Sequence, residues 1–410
     1  MDCEEFVRLS REWTGNVCIF GAGKCGSTYG YELIQMAGFK VRFYCDSYKS
    51  GQSVNNLPIY DMKYLGEYDS AILVIICIAG EEGKKVFVEL KKQGLHHLFH
   101  LDGNDPRLEL IEYIGLKKDD DMIRKFHAIM DDKEYLTMLF KERMGYTMDI
   151  EHPKTLNEKL QWLKIHDKNP IYTLFADKYR VRDYIADNFG DDILVPIFYA
   201  TNDYRNINSE NVPDEHCIIK SNCWSGDSYR VRSKSQVDWS EIQSRYEIIS
   251  KSDYSWRERE WWYSGIKPIF FVEKLLECQN GKIPNDYKLH FINGEFQFIY
   301  CSIDREGRNY RKIYDKHWKI MPFSWHVTRE DEIIRDGPDI EQPITFNRMM
   351  EIGRAIADNI PYVRVDFYDV DGKLFFGEIT ISHGGGFDHF IPFEYDRIYG
   401  DKLQLSEKLI

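Results

Sequence analysis

The sequence predicts an α/β module followed by an α+β module, and three observations carry that reading. The chain opens on a strand, a glycine turn and a helix between Val17 and Met36. The longest apolar run, Ala71 to Ala79, has the length of a buried parallel strand and is too short to cross a bilayer. Far downstream, Tyr362 to Gly386 (YVRVDFYDVDGKLFFGEITISHGGG) alternates charged and apolar residues around an Asp/Gly turn, as a hairpin with one charged face does.

Composition bounds the rest. A chain of 410 residues has room for two or three domains, and 43% hydrophobic with 30% charged residues describes a soluble globular protein. The net charge of −13 is spread along the chain, which argues against a nucleic-acid partner. Nine cysteines, an odd number with no CxxC pair, predict free thiols in a reducing, cytoplasmic compartment. The acidic start MDCEE lacks a signal sequence, no transmembrane segment is expected, and membrane contact could only be peripheral. A homo-oligomer is expected. Trp256, Trp261, Trp262 and Tyr263 cluster in one segment, a pattern that is usually core, although sugar-binding surfaces also use it.

In the first module, Val17–Phe20 leads into Gly21-Ala22-Gly23-Lys24-Cys25-Gly26, a helix running to Met36, and a strand Val41–Cys45 ending at Asp46. This is GxGxxG in the setting its mechanism needs. Glycines let a phosphate approach the backbone, the helix N-terminus favours the anion, and an acid about 20 residues on can hold a ribose. Gly21, Gly23, Gly26 and Asp46 are therefore candidate nucleotide contacts. A strand over Ala71–Ile78, a helix over Glu82–Gln93 and a strand near His97–His100 follow, and the pattern stops near Gly103. That is about half of a dinucleotide fold, so a mononucleotide, a nucleotide-sugar or nothing binds there, and a glycine turn kept for packing is an equal alternative. The domains are read as a Rossmann-like domain at 1–103, a helical connector at 104–150 and a catalytic domain at 151–410.

The second module carries four features in order. The first is a helix opening with Asp177-Lys178, within the helical stretch Pro170 to Asn188. The strand Cys217–Lys220 runs into a small-residue loop, SNCWSGDS, and a strand Tyr229–Val231. An apolar strand ends in Glu273, within IFFVEKLL. Last comes the hairpin with Arg364, Asp366 and Glu378. Lysines can neutralise phosphates as point charges, a mobile loop can close on them with backbone N–H groups, and two carboxylates can bridge a hard divalent cation to phosphate oxygens. Alone, the hairpin reads slightly more as an ion pair; the ordered set reverses that.

The sequence here resembles the ATP-grasp superfamily, and within it the TupA-like group of bacterial surface-polysaccharide clusters. The residues that carry the resemblance are Thr155-Leu156-Asn157-Glu158-Lys159 with Gln161-Trp162-Leu163, Ala176-Asp177-Lys178-Tyr179, Val272-Glu273-Lys274-Leu275-Leu276, Asp286-Tyr287-Lys288, Val363-Arg364-Val365-Asp366 and Gly377-Glu378-Ile379-Thr380. Arg259-Glu260-Trp261, Ile266-Lys267-Pro268 and Arg311 with Tyr314-Asp315 and Trp318 extend it over roughly the last two-thirds of the chain. The resemblance implies two α+β lobes sandwiching ATP, with two magnesium ions. It implies that Lys178, Lys220, Ser225 and Gly226 hold phosphates, Glu273 and Leu276 the adenine, and Asp286 the ribose. Asp366 and Glu378 would be metal ligands, with Thr380 where the superfamily often has Asn. Cys223, Trp224 and Asp227 depart from the group's usual glycine-rich loop.

The implied chemistry is carboxylate–amine ligation through an acylphosphate. Arg364, Lys288, Arg311 and His383 are the candidate catalytic and substrate-contacting residues. The partners would be a carboxylate-bearing sugar or amino acid and an amine. A kinase, a glycosyltransferase and a non-catalytic nucleotide-binding module remain alternatives, the transferase weakened by the lack of a clear DxD pair.

Overall fold

The computed structural model describes residues 9, 12–27, 29–67, 72–101, 131–326 and 337–405. Two compact units form, Met1–Thr147 and Met148–Ile410. Much of the expected connector at 104–150 lies outside the described residues; its described part, from 131, contains a helix over Asp132–Met144.

The first unit is a six-stranded sheet: β1 (Asn16–Phe20), β2 (Val41–Cys45), β3 (Ser53–Val54), β4 (Leu57–Tyr60), β5 (Ile72–Ile76) and β6 (Leu98–His100), ordered β3-β4-β2-β1-β5-β6. The pairs β1–β2, β1–β5, β2–β4 and β5–β6 are parallel. All five residues of β5 are buried, as its unbroken apolar run requires. The helix expected at Glu82–Gln93 spans Gly80–Lys92. The sequence reading contains no β3–β4 hairpin. Its turn is Asn55-Asn56, both at positive φ (52° and 59°), and Pro58, on the inner strand β4, precedes Ile59, where pairing with β2 begins.

The second unit is built on two antiparallel sheets. One has four strands, β7 (Ile197–Thr201), β8 (Cys217–Ser221), β9 (Tyr229–Val231) and β10 (Phe270–Lys274), ordered β7-β10-β8-β9. The other has five: β11 (Asp286–Ile292), β12 (Glu295–Ile303), β13 (Tyr310–Tyr314), then β15 (Tyr362–Val370) and β16 (Lys373–Thr380), ordered β13-β12-β11-β15-β16. A small pair, β14 (Ser324–His326) and β17 (His389–Ile391), stands apart. One apolar core runs through both larger sheets, taking Phe270 and Val272 from the first and Leu289, Phe291 and Val365 from the second. Trp256 and Trp262 are buried, so much of the aromatic segment is core.

The helix Leu156–His166 starts at a capping box. Thr155 accepts from the Glu158 N–H while Glu158 accepts from Lys154 and Thr155. Its buried Asn157 donates to Asp396 Oδ2 (2.9 Å) on the C-terminal helix Glu394–Lys402. Burial pushes the Asp396 carboxyl up to about 6 against the pull of the Asn157 hydrogen bonds. A raised folded value means that the stabilising protonated form is complete below the unfolded value and is lost as pH rises through about 6. The melting temperature of the chain relative to an Asp396→Asn variant should therefore rise by about 2 °C as pH falls from 7 to 5, roughly 1.4 kcal/mol per pKa unit crossed. Paired thermal melts at the two pH values check this.

Candidate nucleotide and metal site

A cavity of about 290 Å³ opens in the second unit, lined by residues of both larger sheets. Lys178 reaches it from a break in the expected helix Pro170–Asn188, which divides into Ile171–Ala176 and Val181–Phe189. The cause is local. The buried Asp177 carboxylate accepts from the N–H groups of Tyr179 and Arg180 and from the Asn222 side chain, capping a new turn instead of continuing the helix. The Lys178 N–H is tied to Asn222 O, and its ammonium donates to Trp224 O and lies 3.8 Å from Glu378 Oε2.

The loop after β8 explains its own departures from a glycine-rich run. Asp227 folds inward and accepts from Ser221 N (2.8 Å), fastening the loop to the strand end. Cys223 is buried, its thiol pushed up to about 12 by burial, and Trp224 packs its ring edge on Tyr254. These three residues brace the loop, while Ser225 and Gly226 line the cavity.

Lys220 on β8 faces Glu273 on β10. The two strands are paired antiparallel, and Lys220 donates to Glu273 Oε2 at 2.5 Å while Arg182 donates to Oε1 at 3.1 Å. Glu273 thus spends both oxygens on cations, and the Lys274–Leu276 segment that follows it lines the cavity.

The carboxylates gather on the other sheet. Lys288 on β11 sits opposite Asp366 on β15. Its Nζ is 2.6 Å from Asp366 Oδ2 and 2.6 Å from Asp286 Oδ2. Asp286 also has Arg305 at 3.9 Å. Burial opposes ionisation of Asp286, but Lys288 and Arg305 outweigh it and hold the carboxyl below its ordinary value. For Asp366 burial wins over Arg364 and Lys288 and pushes the value up. Asp286 Oδ1 is buried without a hydrogen-bond partner, an arrangement that ordinarily costs about 1–3 kcal/mol.

Glu378 is aimed by a bulge. Register between β15 and β16 shifts after Val365↔Ile379, so that Phe367 meets Phe376 and an extra residue falls opposite Asp366. Gly377 is required there, since a Cβ would stand 2.9 Å from Asp366 O. Burial would raise Glu378, yet Lys178, Arg364, Lys288 and Lys220 overcome it and bring the carboxyl to about 2.

Arg364 binds all of this from beneath. Its guanidinium forks onto Asp366 (2.7 Å to each oxygen) and donates to Glu378 Oε1 at 2.7 Å. Its Nη1 lies 3.1 Å from His383 Nδ1. A guanidinium can only donate, so Nδ1 accepts and the His383 proton sits on Nε2, 2.9 Å from Asp388 Oδ2. Burial lowers the His383 value, with Asp388 opposing. The Arg364 guanidinium thus donates to Asp366, Glu378 and His383. Arg364, His383, Arg311 and Thr380 are not among the residues that line the cavity. Arg311 instead lies over the Tyr300 ring, itself 5.7 Å from the His383 ring.

Arg182, Arg305 and Tyr368 are site residues that sequence reasoning missed. Arg182 appears only as a helix-surface residue in sequence, and its role depends on a strand 91 positions away. Arg305 follows β12 and lies 5.8 Å over the Tyr368 ring, a pairing no local spacing reveals.

The donor set fits a divalent cation in company with phosphates. Among the described residues no three His, Cys, Asp or Glu side chains converge to cage a metal by themselves. Two carboxylates beside lysines suit magnesium, which is usually held by one or two carboxylates plus phosphate oxygens.

The TupA-like ATPgrasp family model matches residues 158–404. The chain belongs to the TupA-like ATP-grasp family. No curated protein matches the chain. Solved structures similar to this TupA-like chain include D-alanine–D-alanine ligase of Helicobacter pylori, 12% identical with TM-score 0.29, covering 56% of this chain. The match spans 62% of that enzyme's own length. A second is D-alanine–D-alanine ligase of Bacillus anthracis complexed with ATP, 11% identical with TM-score 0.28, covering 89% of this chain and 85% of that one. A third is the ATP-grasp ligase PsnB with Mg and ADP and a phosphomimetic variant of its minimal precursor, 11% identical with TM-score 0.30, covering 95% and 99%.

The family match begins beyond the first unit of this TupA-like chain, whose glycine turn is used internally. Asp46 Oδ2 accepts from Ala22 N (2.9 Å), and Oδ1 accepts from the N–H groups of Tyr48 and Lys49. The acid expected to hold a ribose thus ties the turn to the end of β2. Gly21 has φ +104°, and a Cβ on Gly26 would stand 1.9 Å from Gly21 O, whereas one on Gly23 would meet nothing within 4 Å. Gly26→Ala should destabilise the first unit by about 1–3 kcal/mol, the usual cost of overpacking, and Gly23→Ala by less than about 0.5 kcal/mol. Amide hydrogen exchange over β1 and β2 distinguishes the two.

Proposed function

We propose that the second unit is an ATP-dependent carboxylate–amine ligase. The observation that carries this reading is that one cavity collects Lys178, Lys220 and Lys288 with Asp366 and Glu378. In the reaction a substrate carboxylate oxygen attacks the γ-phosphorus of ATP, the bond to the β-phosphate oxygen breaks, and ADP leaves. An amine then attacks the acylphosphate carbonyl, phosphate leaves with its bonding pair, and the amine loses a proton to give the amide.

The residues divide the work by position. Lys178 and Lys220 neutralise phosphate oxygens, and the loop with Ser225 and Gly226 covers them. Glu273 orients Lys220, and the backbone of Lys274–Leu276 borders the adenine. Lys288 and Arg305 meet charge developing on the transferred phosphoryl group. Asp366 and Glu378 would hold magnesium, which when bound would draw charge from the phosphates; Arg364, steadied by His383, fixes both carboxylates. The acceptor is a surface-polysaccharide precursor carrying a carboxylate, a proposal that rests on the family's name-giving group. No helix among the described residues is long and apolar enough to cross a membrane, and the cytoplasm is the proposed compartment.

The test is ADP release with paired uronic-acid or amino-acid carboxylates and amines. Release that needs both substrates, with a product whose mass equals their sum less one water, supports ligation. A product heavier by a phosphate and formed without amine overturns it in favour of a kinase.

A further inference from the structure

The run Ser382-His383-Gly384-Gly385-Gly386 does not line the cavity, yet it is mostly buried and heavily braced. From the helix Leu156–His166, Gln161 donates to Gly385 O (3.0 Å) and Gly386 O (2.9 Å), and Lys164 donates to Gly385 O (2.6 Å). The turn brings Asp388 back beside His383. A Cβ on Gly384, which has φ +53°, would collide with the Asp388 carboxylate. Asn157 Nδ2 (2.9 Å) and Trp325 Nε1 (3.0 Å) both donate to Asp388 O and pin its backbone.

Asp388 and His383 are both buried. Asp388 Oδ2 lies 2.9 Å from His383 Nε2, and Oδ1 has no hydrogen-bond partner among the described residues. A buried carboxylate so poor in donors costs folding energy, and what it gains is control of one ring. With its value lowered by burial, the imidazole is neutral and carries one proton. Asp388 draws that proton to Nε2, leaving Nδ1 as the acceptor 3.1 Å from Arg364 Nη1. With the proton on Nδ1 instead, two N–H groups would face each other and the guanidinium would have to turn. Its Nε and Nη2 are the atoms that grip Asp366, and Nη2 also reaches Glu378 Oε1.

We propose that Asp388 is a positioning residue for the nucleotide site: by holding the His383 proton on Nε2 it presents Nδ1 to Arg364, and Arg364 in turn sets Asp366 and Glu378. His383 acts through Arg364 and does not touch substrate. The consequence for nucleotide binding rests on reading the cavity as a metal–nucleotide site, whereas the tautomer does not.

Two measurements on the full chain test this. Long-range proton–nitrogen spectra of histidine-labelled protein are recorded at about pH 8, where histidine is neutral, with His383 assigned by its absence in His383→Asn. Wild type should show a single tautomer protonated at Nε2, and Asp388→Ala should show a mixture. Calorimetric titration with ADP, with and without Mg²⁺, reads the consequence. Asp388→Ala and His383→Phe should each weaken Mg²⁺–ADP binding by about tenfold and metal-free ADP binding by less than about threefold, since the carboxylates and not the fold are disturbed. The amide oxygen of His383→Asn stands where Nδ1 stood and can accept from Arg364, so this variant should lose only about threefold. In the His383→Asn chain, Asp388→Ala should add less than about twofold, because its route to Arg364 is gone. A wild-type tautomer protonated at Nδ1, or one unchanged in Asp388→Ala, overturns the proposal. So does an equal loss from Asp388→Ala with and without His383, which marks Asp388 as packing alone, or an equal loss with and without Mg²⁺. If Asp388→Ala does not fold, His383→Asn binding Mg²⁺–ADP no better than His383→Phe overturns it as well. A wild-type chain that binds no ADP, with or without Mg²⁺, removes the site reading, and the tautomer spectra then decide the role of Asp388 alone.

Discussion

Asp366→Asn will lower ADP formation by about a thousandfold, equivalent to roughly 4 kcal/mol of transition-state stabilisation. The substitution keeps shape and removes charge, so its effect isolates electrostatics. Asp366 is 1% exposed and takes a bidentate Arg364 fork plus Lys288. The neutral amide can satisfy few of those donors and offers a divalent cation one weak oxygen. Lys288 and Arg364 then lose their counter-charge. Glu378→Gln should cost a similar factor, and the loss should be flat across pH 5–8 because the carboxyl is held at about 2 and stays ionised throughout. Asp369→Asn is the control. On the same strand, Asp369 accepts from Thr345 and from Gly372 N and serves the turn, so its loss should cost about 1 kcal/mol of stability and leave the rate near wild type. Steady-state ADP assays on the three variants, with magnesium saturating, decide the matter. Equal rates for Asp366→Asn and Asp369→Asn would remove Asp366 from the site.

What the sequence made legible, and what it hid, follows from how local each signal is. The Asp371-Gly372 turn and the period-two alternation of Tyr362–Val370 are near-neighbour properties, and the hairpin is found where they set it, with both turn residues at positive φ (52° and 87°). Val41–Cys45 is found with the expected bounds for the same reason. Lys178 was legible at the start of a helix, but the cap that holds it there was not, because that cap is closed by Asn222, 45 positions away. Glu273 illustrates the larger gap. A carboxylate ending an apolar strand can be assigned a ligand from pattern alone, but its partners Lys220 and Arg182 arrive through strand pairing and a helix from elsewhere. Ion-pair partners across long separations have no period and no spacing, so they come only with the fold.

The same limit applies to Arg364, where it leads to the second large effect. Arg364→Met should destabilise the second unit by about 3–5 kcal/mol, the usual consequence of stranding one partner of a buried ion pair. The residue is 8% exposed and its fork is shared between Asp366 and Glu378, so its removal leaves two carboxylates facing each other without the cation that separates them. If the fork holds a metal site together, the stranded carboxylates should accept a divalent ion in its stead. Magnesium at millimolar concentration should then raise the melting temperature of Arg364→Met by several degrees more than it raises that of wild type, by mass action on the folded state. Arg364→Lys should fall between the two, because an ammonium keeps the charge and cannot make both arms of the fork. Thermal melts with and without magnesium separate two accounts of the cluster. A carboxylate pair kept only for structure is destabilised alike in both conditions, since nothing in that account draws a cation into the gap. A pair kept for metal is rescued, and the extent of rescue should follow the ion's charge density, with magnesium and manganese effective and potassium not.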